Sequence, residues 1–133
     1  MAKIDDLFRL MLAEDASDLH LRAGSPPSFR IHGEIVPVKY RSLTDDECKA
    51  LIFEILNPHQ MEELNKTWEL DIGYSVEGLG RFRCNVFFQR LGVGAVFRVI
   101  PEKIRTLDEM NLPKQLKDLV NVDKGLVLVT GPT

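Results

Sequence analysis

Two cysteines in 133 residues, Cys48 and Cys84, form no Cys-x-x-Cys pair and no cluster with the three histidines. Neither a disulfide framework nor a zinc site is therefore readable, and Cys84 reads as a small core residue. No apolar run approaches the roughly 18 residues that span a bilayer, and the opening Met1-Ala-Lys-Ile-Asp-Asp6 lacks the pattern of a secretory signal. The expectation is a cytoplasmic chain with no direct membrane insertion. A formal net charge of −3 leaves no broad basic footprint for nucleic acid, so any anion site must be local. With 44% hydrophobic and 28% charged residues the chain is an ordinary globular one, which excludes disordered and fibrous classes.

Ile4, Leu7, Phe8, Met11 and Leu12 recur at helical spacing and predict a packing helix over about 3–13, with Asp5, Asp6 and Glu14 on its polar side. That acidic side argues against a membrane-surface helix. Ala16-Ser-Asp-Leu-His-Leu-Arg22 alternates as a strand, with Asp18 and His20 on one face. The two could be an orienting carboxylate and a base, or one edge of a metal site, but with no nucleophile or third ligand nearby a structural polar pair is favoured. Gly24-Ser-Pro-Pro27 breaks that strand, Phe29-Arg-Ile-His32 resumes, and His32-Gly33-Glu34 turns into Ile35-Val-Pro-Val38, where Pro37 marks an edge strand. Thr44-x-x-Glu47 is a capping box for a helix over about 44–56, and Asn57-Pro58 opens a shorter one.

From Trp68 the chain alternates again: Trp68, Leu70, Ile72, Tyr74 and Val76 on one side, then Phe82, Cys84, Val86 and Phe88 after Gly78-Leu-Gly80. This predicts a hairpin with Val76 beside Phe82, Glu77 opposite Arg81 and Arg83 opposite Ser75. A third strand over about 94–100 places Arg98 on the face of Arg83, directly opposite or on its diagonal. Two neighbouring guanidinium groups repel by tenths of a kcal/mol up to about 1. They are either solvated independently or bridged by an acidic residue or a phosphate. Residues 101–113 are polar and proline-interrupted, as a linker would be. Leu116, Leu119 and Val120 mark a short helix, and Leu126-Val-Leu-Val129 between Gly125 and Gly131 reads as a strand buried on both faces. Such a strand followed by Thr130-Gly-Pro-Thr133 is how a phosphate-binding loop begins, although only its first residues are present.

Ala16-Ser-Asp-Leu-His-Leu21, Gly24-Ser-Pro-Pro27, Gly80-Arg-Phe-Arg-Cys-Asn-Val86, Val96-Phe-Arg-Val-Ile-Pro101 and Gly125-Leu-Val-Leu-Val-Thr-Gly-Pro-Thr133, in this order, resemble the N-terminal part of the PilT-type ATPases. These are the type IV pilus retraction motors of the secretion ATPase superfamily. The resemblance implies an α+β fold: a PAS-like domain over 1–100, a linker over 101–112, and over 113–133 the start of a RecA-like P-loop domain. It implies a parent that forms a homo-hexamer, uses ATP and Mg²⁺ for pilus retraction and twitching motility, and meets platform proteins at the inner membrane. Arg83 and Arg98 match the family positions that reach nucleotide phosphates, with Gly131, Pro132 and Thr133 opening the phosphate loop. Arg90 and Arg105 are weaker candidates, because their loop positions leave the direction of their side chains undefined. The loop's Lys and Ser/Thr and the catalytic Glu are not in this sequence, so the chain alone is expected to be an inactive fragment that binds no nucleotide tightly. A pilus-assembly or type II secretion ATPase, or a free-standing PAS-like ligand-binding module, are the alternatives.

Overall fold

The computed structural model describes residues 3–119 and 121–131. The chain divides into two compact units, the first ending at Glu102 and the second beginning at Lys103. In the first unit, helix α1 (Ile4–Ala13) precedes strands β1 (Asp18–Arg22), β2 (Ser28–Ile31) and β3 (Glu34–Pro37). Helices α2 (Asp45–Phe53) and α3 (Pro58–Thr67) follow, then strands β4 (Glu69–Val76), β5 (Gly80–Gln89) and β6 (Gly92–Ile100). The strands form one antiparallel sheet in the order β3-β2-β1-β6-β5-β4, with Pro37 on an edge strand where its missing N–H costs no ladder bond. The closing strand β6 inserts between β5 and β1, so segments about 80 residues apart become neighbours at the sheet centre.

One sheet face carries the core. Leu19, Leu21, Phe82, Cys84, Val86, Ala95 and Phe97 share a buried cluster with Ile4, Phe8 and Met11 of α1, Cys48 and Ile52 of α2, and Leu64 of α3. Both predicted caps form: the Thr44 hydroxyl accepts from Glu47 N at 3.3 Å, and Asn57 Oδ1 accepts from Gln60 N at 2.9 Å, each with the reciprocal bond. The opposite face carries the even positions of β1 and β6 and the odd positions of β4 and β5, and it holds the charged residues.

Several details depart from the sequence reading. Leu12 is exposed, whereas Asp5, assigned to the polar side, is buried and accepts a hydrogen bond from the Tyr74 hydroxyl at 3.3 Å. Trp68 is not a strand residue. It ends α3 in the left-handed conformation and is 68% exposed, its ring edge-on to Phe88. The β4–β5 hairpin is shifted by two residues, pairing Tyr74 with Phe82 and Ser75 with Arg81 around a loop of Glu77, Gly78 and Leu79. A two-residue slip leaves every side chain on its face, so alternation cannot detect it. The observed register places Gly78 at the left-handed turn position and lets Leu79 pack on the core.

Gly92 opens β6 directly after the β5–β6 turn with φ +127, and a Cβ there would lie 1.9 Å from the Asp45 carboxylate that accepts from Val93 N. Gly92→Ala is therefore expected to destabilise the unit by about 1–3 kcal/mol through overpacking and backbone strain. Urea unfolding checks this, and an unchanged midpoint would contradict it.

In the second unit the sole described helix is α4 (Leu116–Leu119); the predicted helix residue Val120 lies outside the described residues. Thr106 and Glu109 form a further capping box inside the expected linker, with Glu109 also paired to Lys103 at 3.0 Å. Leu126 to Val129 form no strand and are exposed.

Candidate functional site: a charged row across the open sheet face

Pairing register lines up Arg30 of β2, Asp18 of β1, Arg98 of β6 and Arg83 of β5 directly opposite one another, and ends at Gly73 of β4. The two-residue turn of Arg90 and Leu91 sets Arg98 directly against Arg83 rather than on its diagonal. Repulsion between the two is relieved separately on each side. Arg98 Nε donates to Asp18 Oδ1 at 2.8 Å, and Asp18 Oδ2 accepts from Ser17 Oγ at 2.8 Å and faces Arg30 Nε at 3.4 Å. Arg83 meets no side chain at Gly73 and turns one step along β4 to Asp71, with Nε–Oδ1 at 3.1 Å and Nη2–Oδ2 at 2.6 Å, a two-point fork.

The two carboxylates differ in setting. Asp18 is 2% exposed and Asp71 is 46% exposed at the side chain. Burial alone would raise the Asp18 carboxyl, but hydrogen bonds from Arg98 and Ser17 and the Arg98 charge outweigh it and hold it below its ordinary value of 3.8. A carboxyl depressed in the folded state contributes stability that is present above its unfolded value and is lost as pH falls through the folded value. Asp18→Asn is therefore expected to flatten the stability profile below about pH 4. Denaturant midpoints measured from pH 2 to 7 check this; an acid limb as steep as wild type would contradict it.

Residues Asp18, Glu69, Asp71, Arg83, Asn85 and Arg98 border a surface hollow of about 360 Å³ on this face. Glu69 accepts from Asn85 Nδ2 at 3.0 Å. Arg98 offers both terminal nitrogens and Arg83 its Nη1 without a hydrogen bond among the described residues. The hollow thus presents convergent donors, as a phosphate or carboxylate ligand requires.

His20 lies two residues along β1 from Asp18, but that carboxylate is bonded to Ser17 and Arg98. Burial, helped by the Arg30, Arg22 and Arg98 charges, holds the imidazole below its ordinary value despite Asp18, and Nε2 is buried without a partner among the described residues. The pair is thus not arranged as a carboxylate orienting a base. Burial also pushes the Cys48 thiol up to about 11 and the Cys84 thiol up to about 12, so neither supplies a thiolate at neutral pH. Among the described residues no group of three His, Cys, Asp or Glu could hold a metal ion, and no helix is long and apolar enough to cross a membrane.

Of the predicted site residues, Arg83 and Arg98 are brought together. Arg90 sits in the β5–β6 turn, seven residues and about 23 Å of strand rise from Arg83. Arg105 and Gly131 are exposed in the second unit, and Pro132 and Thr133 lie outside the described residues. Sequence reading missed Asp71 and Arg30. In the observed register Gly73, without a side chain, lies opposite Arg83 and leaves the guanidinium to reach the next carboxylate on the strand; the sequence reading, with Ser75 in that place, offered no such signal for Asp71.

No family model matches the chain. The type IV pilus retraction ATPase PilT of Pseudomonas aeruginosa is 41% identical over 130 residues, 98% of this chain and 38% of that protein. The type IV pilus ATPase PilU of the same organism is 36% identical over 131 residues, 98% of this chain and 34% of that protein. A crystal structure of the pilus retraction motor PilT with bound ADP superposes with a TM-score of 0.81 at 34% identity, covering 99% of this chain and 38% of the other. The Legionella pneumophila ATPase DotB shares the fold, with a TM-score of 0.72 at 23% identity over 88% of this chain and 34% of the other. The chain spans little more than a third of the length of these relatives.

Proposed function

We propose, from the chain's kinship with the N-terminal region of PilT-type ATPases, that it is the nucleotide-interface domain of a motor ATPase that powers type IV pilus retraction. The observation that carries this reading is the directly opposed Arg83 and Arg98 on an open sheet face, two guanidinium groups whose free nitrogens border one hollow. Charge stabilisation of transferring phosphates needs this kind of preorganised donor pair, and binding it costs no rearrangement of the sheet.

Gly131, Pro132 and Thr133 open the phosphate loop in this reading, and the Lys and Ser/Thr that contact terminal phosphates and Mg²⁺ belong to the RecA-like continuation. The parent assembles as a hexamer in the cytoplasm, works against inner-membrane platform proteins, and uses relative motion of its two domains to turn nucleotide state into force. The 133-residue chain itself binds nucleotide weakly and does not turn it over. The hollow as it stands is bordered by two arginines and three carboxylates, a local charge of −1 that opposes a polyanion. Size-exclusion chromatography of the chain with and without its continuation past Thr133, paired with an ATPase assay, tests the reading. A ring and turnover that appear only with the continuation support it. Turnover by the short chain, or a continuation without Gly-Lys-[Ser/Thr], contradicts it.

A further inference from the structure

We infer that Asp71 is a built-in occupant of the phosphate site: its carboxylate fills the Arg83 fork until a phosphate displaces it, whereas Asp18 is a permanent anchor for Arg98. This rests on the nucleotide-phosphate reading of the arginine pair and adds a regulatory element to it.

The two ion pairs are built for different lifetimes. Asp18 is buried and satisfies its oxygens with Arg98, Ser17 and Arg30, so removing Arg98 would leave Oδ1 of a buried carboxylate without its charged partner. Asp71 is half-exposed, takes both its oxygens to Arg83 alone, and regains water when released. The geometry of its contact is also informative. A guanidinium offers carboxylate and phosphate oxygens the same two-point fork, so the Asp71 oxygens stand where two phosphate oxygens would sit. Because Arg83 faces glycine on β4, the guanidinium meets no bulky neighbour there when it leaves Asp71. The consequence is an exchange: phosphate can take the Nε and Nη2 fork of Arg83 only as Asp71 lets go, Nη1 being the donor open beforehand, while Arg98 stays in place throughout.

Titration calorimetry of the 133-residue chain with inorganic tripolyphosphate at fixed ionic strength tests this. Asp71→Asn keeps the side-chain shape and removes the competing charge, and is expected to tighten binding about fivefold, the worth of one exposed ion pair. Glu69→Gln removes the same charge from the same hollow without touching the Arg83 fork, and is expected to change affinity less than twofold. Asp71→Ser should behave as Asp71→Asn does, which separates the lost carboxylate from any effect of the new amide. If Asp71→Asn binds no more tightly than wild type, or if Glu69→Gln tightens binding as much, the exchange is overturned while loss of binding in Arg83→Ala still upholds the phosphate reading. If Arg83→Ala and Arg98→Ala bind as wild type does, that reading falls and the exchange falls with it.

Discussion

Phe8→Ala is expected to lower the stability of the first unit by about 3–5 kcal/mol. The ring is fully buried on α1 and stacks on Phe82 with centroids 4.2 Å apart, stands edge-on to Phe97 at 5.2 Å and lies 6.0 Å from Tyr74. It therefore joins the N-terminal helix to β4, β5 and β6 at one point, where truncation would open a cavity that the sheet cannot close. A typical domain of this size is stable by about 5–15 kcal/mol, so the variant should retain only part of its folding margin. Leu12→Ala on the same helix, at an exposed position, should cost well under half as much. Urea unfolding followed by circular dichroism measures both, and a Phe8→Ala loss below about 1 kcal/mol would contradict the packing described.

The second large effect concerns turnover. In a protein that carries this chain with its RecA-like continuation, Arg83→Ala and Arg98→Ala are each expected to reduce kcat by about 10²–10³-fold, the usual size of losing one preorganised donor to a developing charge. Lysine at either position keeps the charge but loses the planar fork, and should recover only a small part of the rate. The two variants separate on stability. Arg98→Ala leaves the buried Asp18 with Ser17 and a longer contact to Arg30, and so lowers the melting temperature as well. Arg83→Ala frees only the half-exposed Asp71 and leaves it unchanged. Equal kcat in wild type and both variants would remove the arginines from the reaction.

Local signals were legible because their physics is local. Helical spacing located α1 and α2, and Thr44–Glu47 and Asn57 capped their helices as the residue types favour, Gln60 completing the second box unread. Alternation alone was enough to put Arg83 and Arg98 on one face, since a two-residue or a four-residue loop between β5 and β6 preserves it; the direct opposition came only with the observed turn at Arg90 and Leu91. The pairing of β1 with β6 was not legible, since no pattern within either strand reports a partner about 80 residues away. Asp18 therefore read only as a polar neighbour of His20, and not as the residue that holds Arg98. The β4–β5 register escaped because a two-residue slip preserves faces, and with it went the Arg83–Asp71 contact. Trp68 followed the apolar alternation yet serves as a helix end, where its left-handed backbone directs the ring outward. The apolar run at Leu126 to Val129 reads as a strand by composition, but composition cannot supply the neighbours that a strand needs.

The assignment of Arg83 and Arg98 to a nucleotide's phosphates is tested most directly by the guanidinium Nε–Hε resonances of the 133-residue chain, recorded as ATP is added. Arg83 and Arg98 should shift together and saturably, Arg83 more because it exchanges Asp71 for phosphate, while Arg41 and Arg90 stay still. Shifts centred on Arg41 or Arg90, or small uniform shifts of all arginines, would place the anion elsewhere and contradict the assignment.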